Sequence, residues 1–167
     1  RNPNFQNQPR GSTFPIRKVI SSRFDGGKIM EIDYAQLEFR TAVFLAQDKQ
    51  GMEDIRNGVD VHQYTADIIG CSRQEAKAHT FKPLYGGMSG TENEKKYYSA
   101  FLKKYPDIKV WHEKLQDEAI RTKVVTLPTG RQYAFPKAER MPWGGASSST
   151  QIKNYPVQGF ATADIVP

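Results

Sequence analysis

The residues that most constrain how this chain can fold run from Ser72 to Gly87. Ser72 with Glu75 three positions on makes a capping box. Each side chain satisfies a backbone N–H that the first helical turn leaves orphaned, so a helix is predicted from Arg73. Gly86-Gly87 supplies the stop. Pro83 lies inside, where it removes the bond to the His79 carbonyl and predicts a kink in the last turn. Arg73, Lys77, Phe81 and Tyr85 recur every four residues. On a helix of 3.6 residues per turn they drift by about 40° per step and form one stripe.

The order along that stripe is informative. A helix N-terminus already carries partial positive charge, so Arg73 and Lys77 are electrostatically misplaced there, and Glu75 offsets only part of the excess. An anion bound at that end would relieve the conflict, and phosphate is the usual one. Phe81 and Tyr85 would then offer aromatic faces to a sugar and a base. The other reading is a solvated basic helix with Phe81 and Tyr85 in the core. Spacing alone leaves both open.

A second stretch, Asp33-Tyr34-Ala35-Gln36-Leu37-Glu38-Phe39-Arg40, follows a short apolar, β-branched run, Lys28 to Asp33, which predicts a strand ending near Asp33. Residues 35–46 carry Leu37, Thr41, Phe44 and Leu45 at helical spacing, so a helix leaves that strand. A carboxylate there suits hard Mg²⁺, which takes carboxylate and phosphate oxygens and keeps several waters. Asp33 equally suits a helix N-cap. Glu38, about 140° away around a helix, would not share a metal with it. Asp60 and His62 admit a metal pair or a helical surface, and the single Cys and three His show no zinc-type spacing.

Composition sets the remaining bounds. A net charge of +6 suits a polyanionic partner. A hydrophobic share of 38% permits a lean core, and no run reaches the length of a membrane span. The lone Cys71 precludes an internal disulfide and fits a reducing compartment. The start at Arg1 and the stop at Pro167, just after the apolar segment Ala161 to Val166, lead to the expectation of an internal piece of a longer protein. Further helices are predicted at Val59–Ile69, Glu92–Lys104, Ile108–Arg121 and from residue 160. A hairpin is predicted over Val124–Phe135, turning at Pro128-Thr129-Gly130, and a Gly/Ser-rich loop over 141–149.

The motifs in order resemble the palm-and-fingers region of family A DNA polymerases, the bacterial polymerase I type, with a phage-like cast. Asp33 to Arg40 resembles the family's motif A, and Arg73-xxx-Lys77-xxx-Phe81-xxx-Tyr85-Gly86 its motif B. Asn4 to Pro9, Asp60-Val61-His62, Gly130-Arg131 and Asn154-Tyr155-Pro156-Val157-Gln158-Gly159 also fall in family order. The resemblance implies an α+β fold, a partial palm sheet with a mainly helical fingers subdomain inserted: palm over 1–45, fingers over 46–150, and a return to the palm over 151–167. It implies dNTP addition to a primer 3′-hydroxyl by two-metal phosphoryl transfer. Mg²⁺ would be the cofactor, primer–template DNA and dNTPs the partners, and the (host) cytoplasm the location, with no membrane.

The same resemblance implies residue roles. Asp33 and the Tyr34 carbonyl would bind metal. Arg73 and Lys77 would grip the triphosphate, with His62 near the phosphates and Gln36 also in the nucleotide site. Glu38 would block a ribose 2′-hydroxyl. Phe81 would pack on the sugar, and as Phe rather than Tyr it implies discrimination against dideoxynucleotides. Tyr85 would stack near the templating position. Arg40, Gly86, Asn154 and Gln158 would meet DNA. Three features depart from the pattern. Lys82 and Pro83 replace small or aliphatic residues, Thr150 replaces an Arg, and the third motif, His-Asp-Glu, which brings the second metal carboxylate, is absent from these residues. The chain alone is therefore expected to be inactive. The alternatives are a nucleotide- and DNA-binding fragment, a relative of single-subunit RNA polymerases, which Glu38 argues against, or a basic protein that is no enzyme.

Overall fold

The structure, a computed structural model, describes residues 19–30, 33–85 and 90–165. The chain divides into two units, Arg1–Ala35 and Gln36–Pro167. In the first, Val19, Ile20, Phe24, Ile29, Met30 and Tyr34 are all exposed. The strand expected over Lys28–Asp33 is absent at residues 28–30 and at Asp33, and Glu31 and Ile32 lie outside the described residues. A strand exists only through hydrogen bonds to a neighbour, and no described residue pairs with this run.

The second unit contains helices α1 (Leu37–Ala46), α2 (Lys49–Arg56), α3 (Val61–Ile69) and α4 (Arg73–Thr80), then a 3₁₀ turn (Lys82–Tyr85). Helices α5 (Glu92–Lys104) and α6 (Pro106–Thr122), strands β1 (Val124–Thr126) and β2 (Gln132–Ala134), α7 (Ser149–Gly159) and a π-helical segment (Phe160–Ile165) follow. The class is α+β, as expected. Its sheet among the described residues is the antiparallel β1–β2 hairpin, Val125 opposite Tyr133, closed by Gly130 at φ 84°. No helix among the described residues is long and apolar enough to cross a membrane.

Two helical elements depart from expectation. Helix α2 lies outside the predicted helices and has a short apolar face, Met52 and Ile55, packed on the main core. It forms because Asp48 caps it, accepting from Gly51 N at 2.8 Å, and because Gly51 lets it lie against Val43. Helix α7 starts eleven residues before the predicted residue 160 and carries Pro156 in its interior. The proline removes one internal bond, yet Ile152, Pro156 and Val157 are buried, so packing outweighs local propensity.

An aromatic ladder joins the helices. Phe101 lies 4.8 Å from Tyr105 and 5.9 Å from Tyr97, and Phe39 lies 5.2 Å from Tyr105, all edge-on. Burying two tyrosines requires partners for their hydroxyls. Tyr97 donates to the Thr80 carbonyl at 2.9 Å and Tyr105 to Asp54 at 2.8 Å. Asp48 serves two helices: its second oxygen accepts from Asp107 N and Ile108 N, capping α6, whose own N-cap Tyr105 offers no side-chain bond. A second core, around Leu115, Val125, Phe135 and Ile152, seats the hairpin.

Candidate nucleotide-binding site

Helix α4 starts where the capping box placed it. Ser72 Oγ accepts from Glu75 N at 3.3 Å, and Glu75 accepts from Ser72 N at 2.9 Å. The Ser72 hydroxyl, which donates to Glu75 Oε2 at 2.7 Å, and then the Ser72 N–H hold the Glu75 carboxyl below the usual range. The helix ends sooner than predicted. Its last residue is Thr80, Phe81 is the C-cap, and Tyr85 belongs to the 3₁₀ turn. Pro83 is the physical reason: its ring clashes with the carbonyl four residues back and it offers no N–H. The stripe therefore divides. Arg73 and Lys77 stand exposed on α4, while Phe81 and Tyr85 lie half-buried against the main core. The rings thus lie as the core reading expects, and the exposed cations are compatible with either reading of that end.

Helix α3 lies along α4. Asp60 is its N-cap, with Oδ1 accepting from His62 N at 2.9 Å and Gln63 N at 3.2 Å. Its Oδ2 receives the Arg73 Nε at 2.6 Å. Desolvation opposes ionisation of Asp60, but Arg73 and the two backbone N–H groups outweigh it, so its carboxyl sits below the usual range. Asp60 is thus a cap and an ion-pair partner rather than half of a metal pair. No described group of three or more acidic, His or Cys side chains could hold a metal.

His62 is half-buried in the first turn of α3. Its Nδ1 lies 3.0 Å from Thr80 Oγ1. Thr80 Oγ1 also bonds Thr65 Oγ1 and the Ala76 carbonyl, and the Thr65 hydroxyl donates to the Val61 carbonyl. The His62–Thr80 bond therefore belongs to a hydroxyl network that ties α3 to α4, with the proton on either atom according to the His62 tautomer. Burial first, then Arg73 and Lys77, lower the His62 pKa against the opposing pull of Asp60 and Glu38, which favours the neutral ring. The Phe81 ring meets it edge-on at 5.2 Å.

Tyr85 accepts a bond from Gln158 Nε2 of α7 at 3.0 Å. Burial, helped by the Glu38 charge, pushes its hydroxyl up to about 12. Glu38, half-buried in the first turn of α1, is therefore near both His62 and Tyr85. Gln36 is the left-handed N-cap of α1, at φ 56°. One unit thus gathers Glu38, His62, Arg73, Lys77, Phe81, Tyr85 and Gln158. Arg40 is exposed on α1. Asn154 is half-buried on α7, and its Oδ1 is buried without a partner among the described residues. Asp33 and Tyr34 are exposed in the other unit, and Gly86 lies outside the described residues. Sequence reasoning missed the Asp60–Arg73 pair and the Tyr85–Gln158 bond, since each joins separate helices. It also missed Thr80, which meets His62 from α4.

The model of DNA polymerase family A matches residues 1–167. The chain belongs to that family. DNA polymerase I of Pseudomonas aeruginosa is 29% identical over 98% of the chain and 20% of the relative. The enzyme of that name from Lactococcus lactis is 28% identical over 98% and 21%. The DNA polymerase of Mycobacterium phage L5 is 30% identical over 64% of the chain and 20% of the relative. The chain spans about a fifth of the length of these relatives. Among solved structures, the POL domain of Pol1 from M. smegmatis, in complex with DNA primer-template and dNTP, aligns with a TM-score of 0.58 and 20% identity. The alignment covers 76% of this chain and 26% of that one, and shows a shared fold.

Proposed function

We propose that this chain forms the nucleotide-holding part of a DNA-templated DNA polymerase, which adds dNTPs to a primer 3′-hydroxyl with release of pyrophosphate. The observation that carries the reading is the convergence of Arg73, Lys77, neutral His62 and Phe81 where α3 meets α4, in a family A chain. Arg73 and Lys77 hold the triphosphate. His62, held neutral by burial, adds no charge there. The ring of Phe81, braced by His62, packs on the sugar. Glu38 fills the space a ribose 2′-hydroxyl would need, and Gln36 at the head of α1 borders the same nucleotide. Tyr85, fixed by Gln158, stacks at the templating position. Arg40, Gly86, Asn154 and Gln158 meet primer–template.

Asp33 and the Tyr34 carbonyl are hard oxygen donors and fit Mg²⁺, which accepts one or two protein ligands beside phosphate and water. They would be its protein ligands in this chain. Bound there, the ion would neutralise phosphate charge and favour the ionised primer hydroxyl. The palm and fingers assignments, 1–45 with 151–167 and 46–150, belong to the same proposal. With one metal carboxylate, the chain alone should bind nucleotide without extending a primer.

Titration of the chain with Mg²⁺·dNTP, followed by intrinsic fluorescence beside Lys77→Ala, tests the reading. Saturable binding that the substitution weakens about tenfold is expected. Binding indifferent to Lys77 would refute the phosphate grip.

A further inference from the structure

The Asp60 carboxylate divides its work between its two oxygens. Oδ1 caps α3 through His62 N and Gln63 N, and Oδ2 takes the Arg73 guanidinium. Arg73 could leave Oδ2 without disturbing the cap. The pair is open to water, with the side chains 46% and 36% exposed. Exposed pairs of this kind are weak and readily exchanged. A phosphate group is the natural exchange partner, because it is anionic and two of its oxygens can accept from the guanidinium together, where Oδ2 takes Nε alone. Meanwhile Lys77, one turn along α4, is exposed and has no salt bridge among the described residues. One cation is therefore paired with an internal carboxylate, and the other is available to a ligand.

We infer that Asp60 is a charge competitor for Arg73, a residue that sets how tightly the site holds a triphosphate. The inference rests on the nucleotide-site reading above. A ligand that reaches only Lys77 escapes the competition. A polyphosphate long enough to engage both cations must displace Oδ2 and approach its negative charge. Asp60 thus weakens every ligand that needs Arg73, which favours turnover over retention of the anionic product.

The test uses inorganic tripolyphosphate as the probe, so that base, sugar and templating contacts play no part, with calorimetric titration of the whole chain. Asp60→Asn removes the charge and keeps the cap oxygen, and Asn is as good an N-cap as Asp. Tripolyphosphate should bind the variant about five-fold more tightly, equivalent to ~1 kcal/mol, with an unchanged urea midpoint. Orthophosphate, too short to span both cations, should change less than two-fold. Glu92→Gln makes the same change in net charge on α5, where Glu92 is 78% exposed and paired with Lys95. It should leave both affinities unaltered.

Weaker tripolyphosphate binding by Asp60→Asn would overturn the inference and make Asp60 a positioning residue for Arg73. An unchanged affinity would overturn it too, as would an equal rise in Glu92→Gln, which would reduce the effect to net charge. Lys77→Ala separates the two levels of the argument. If it leaves tripolyphosphate binding intact, or if the unaltered chain binds none, the site reading falls and this inference falls with it. If Lys77→Ala weakens binding while Asp60→Asn does not strengthen it, the inference alone fails.

Discussion

His112 should make this fold acid-labile well above the range in which its carboxylates titrate. Its side chain is buried on α6, and the residue is only 4% exposed. The ring bonds the Leu84 backbone, and Nε2 has no partner among the described residues. Burial, aided by the neighbouring Lys153 cation, holds its pKa down to about 3, against an ordinary 6.5. Lys153 is itself buried, and desolvation lowers its pKa against the pull of Glu113. Protonating His112 would set two buried cations side by side. The folded state thus binds this proton far less readily than the unfolded chain, so stability must fall as pH falls below the unfolded value. The cost approaches about 1.4 kcal/mol per pH unit, which gives roughly 2 kcal/mol between pH 8 and pH 5. That is a large share of a typical domain stability of about 5–15 kcal/mol.

Urea unfolding at pH 8 and pH 5, for the chain and for His112→Gln, measures the effect. Gln keeps a donor for Leu84 and cannot charge. Its stability should differ from the unaltered chain by an amount that changes by about 2 kcal/mol across the interval. Asp54, Asp60, Glu94 and Asp164 all sit below their ordinary values and stay ionised down to pH 5. His62 is present in both proteins and cancels. Parallel stability curves would refute the reasoning and mean that the His112 pocket is wet or opens readily.

Gly51→Ala would bring a methyl group to 2.5 Å from Val43 Cγ2 at the α1–α2 contact. The chain should lose about 1–3 kcal/mol in urea unfolding, and Val43→Ala in the same chain should restore part of it. Asp48→Asn would keep the α2 cap but turn an amide toward Asp107 N and Ile108 N, which Oδ2 now satisfies. Leaving those donors unmatched should cost about 1–3 kcal/mol, with hydrogen exchange accelerating first at the start of α6.

The local signals in the sequence were reliable where the physics is local. The Ser72–Glu75 box, the turn at Gly130 and the limits of α5 involve residues within a few positions of one another, and the structure has each where expected. The cationic end of α4 was legible for the same reason, since helix-end electrostatics do not depend on the rest of the fold. Tertiary structure decided what depends on distant partners. Helix α2 rests on a cap and on a glycine–valine contact across α1, and α7 tolerates Pro156 only because its apolar side is buried. Residues 28–30 and Asp33, strand-like in composition, form no strand without a neighbour to bond. The division of the four-residue stripe at Thr80 shows one proline acting against a period that composition alone would extend. The His62–Thr80 bond, the Asp60–Arg73 pair and the Tyr85–Gln158 bond each need two or more helices to meet. Spacing supplied the list of candidate side chains, and packing determined which of them lie side by side and which of their charges are already in use.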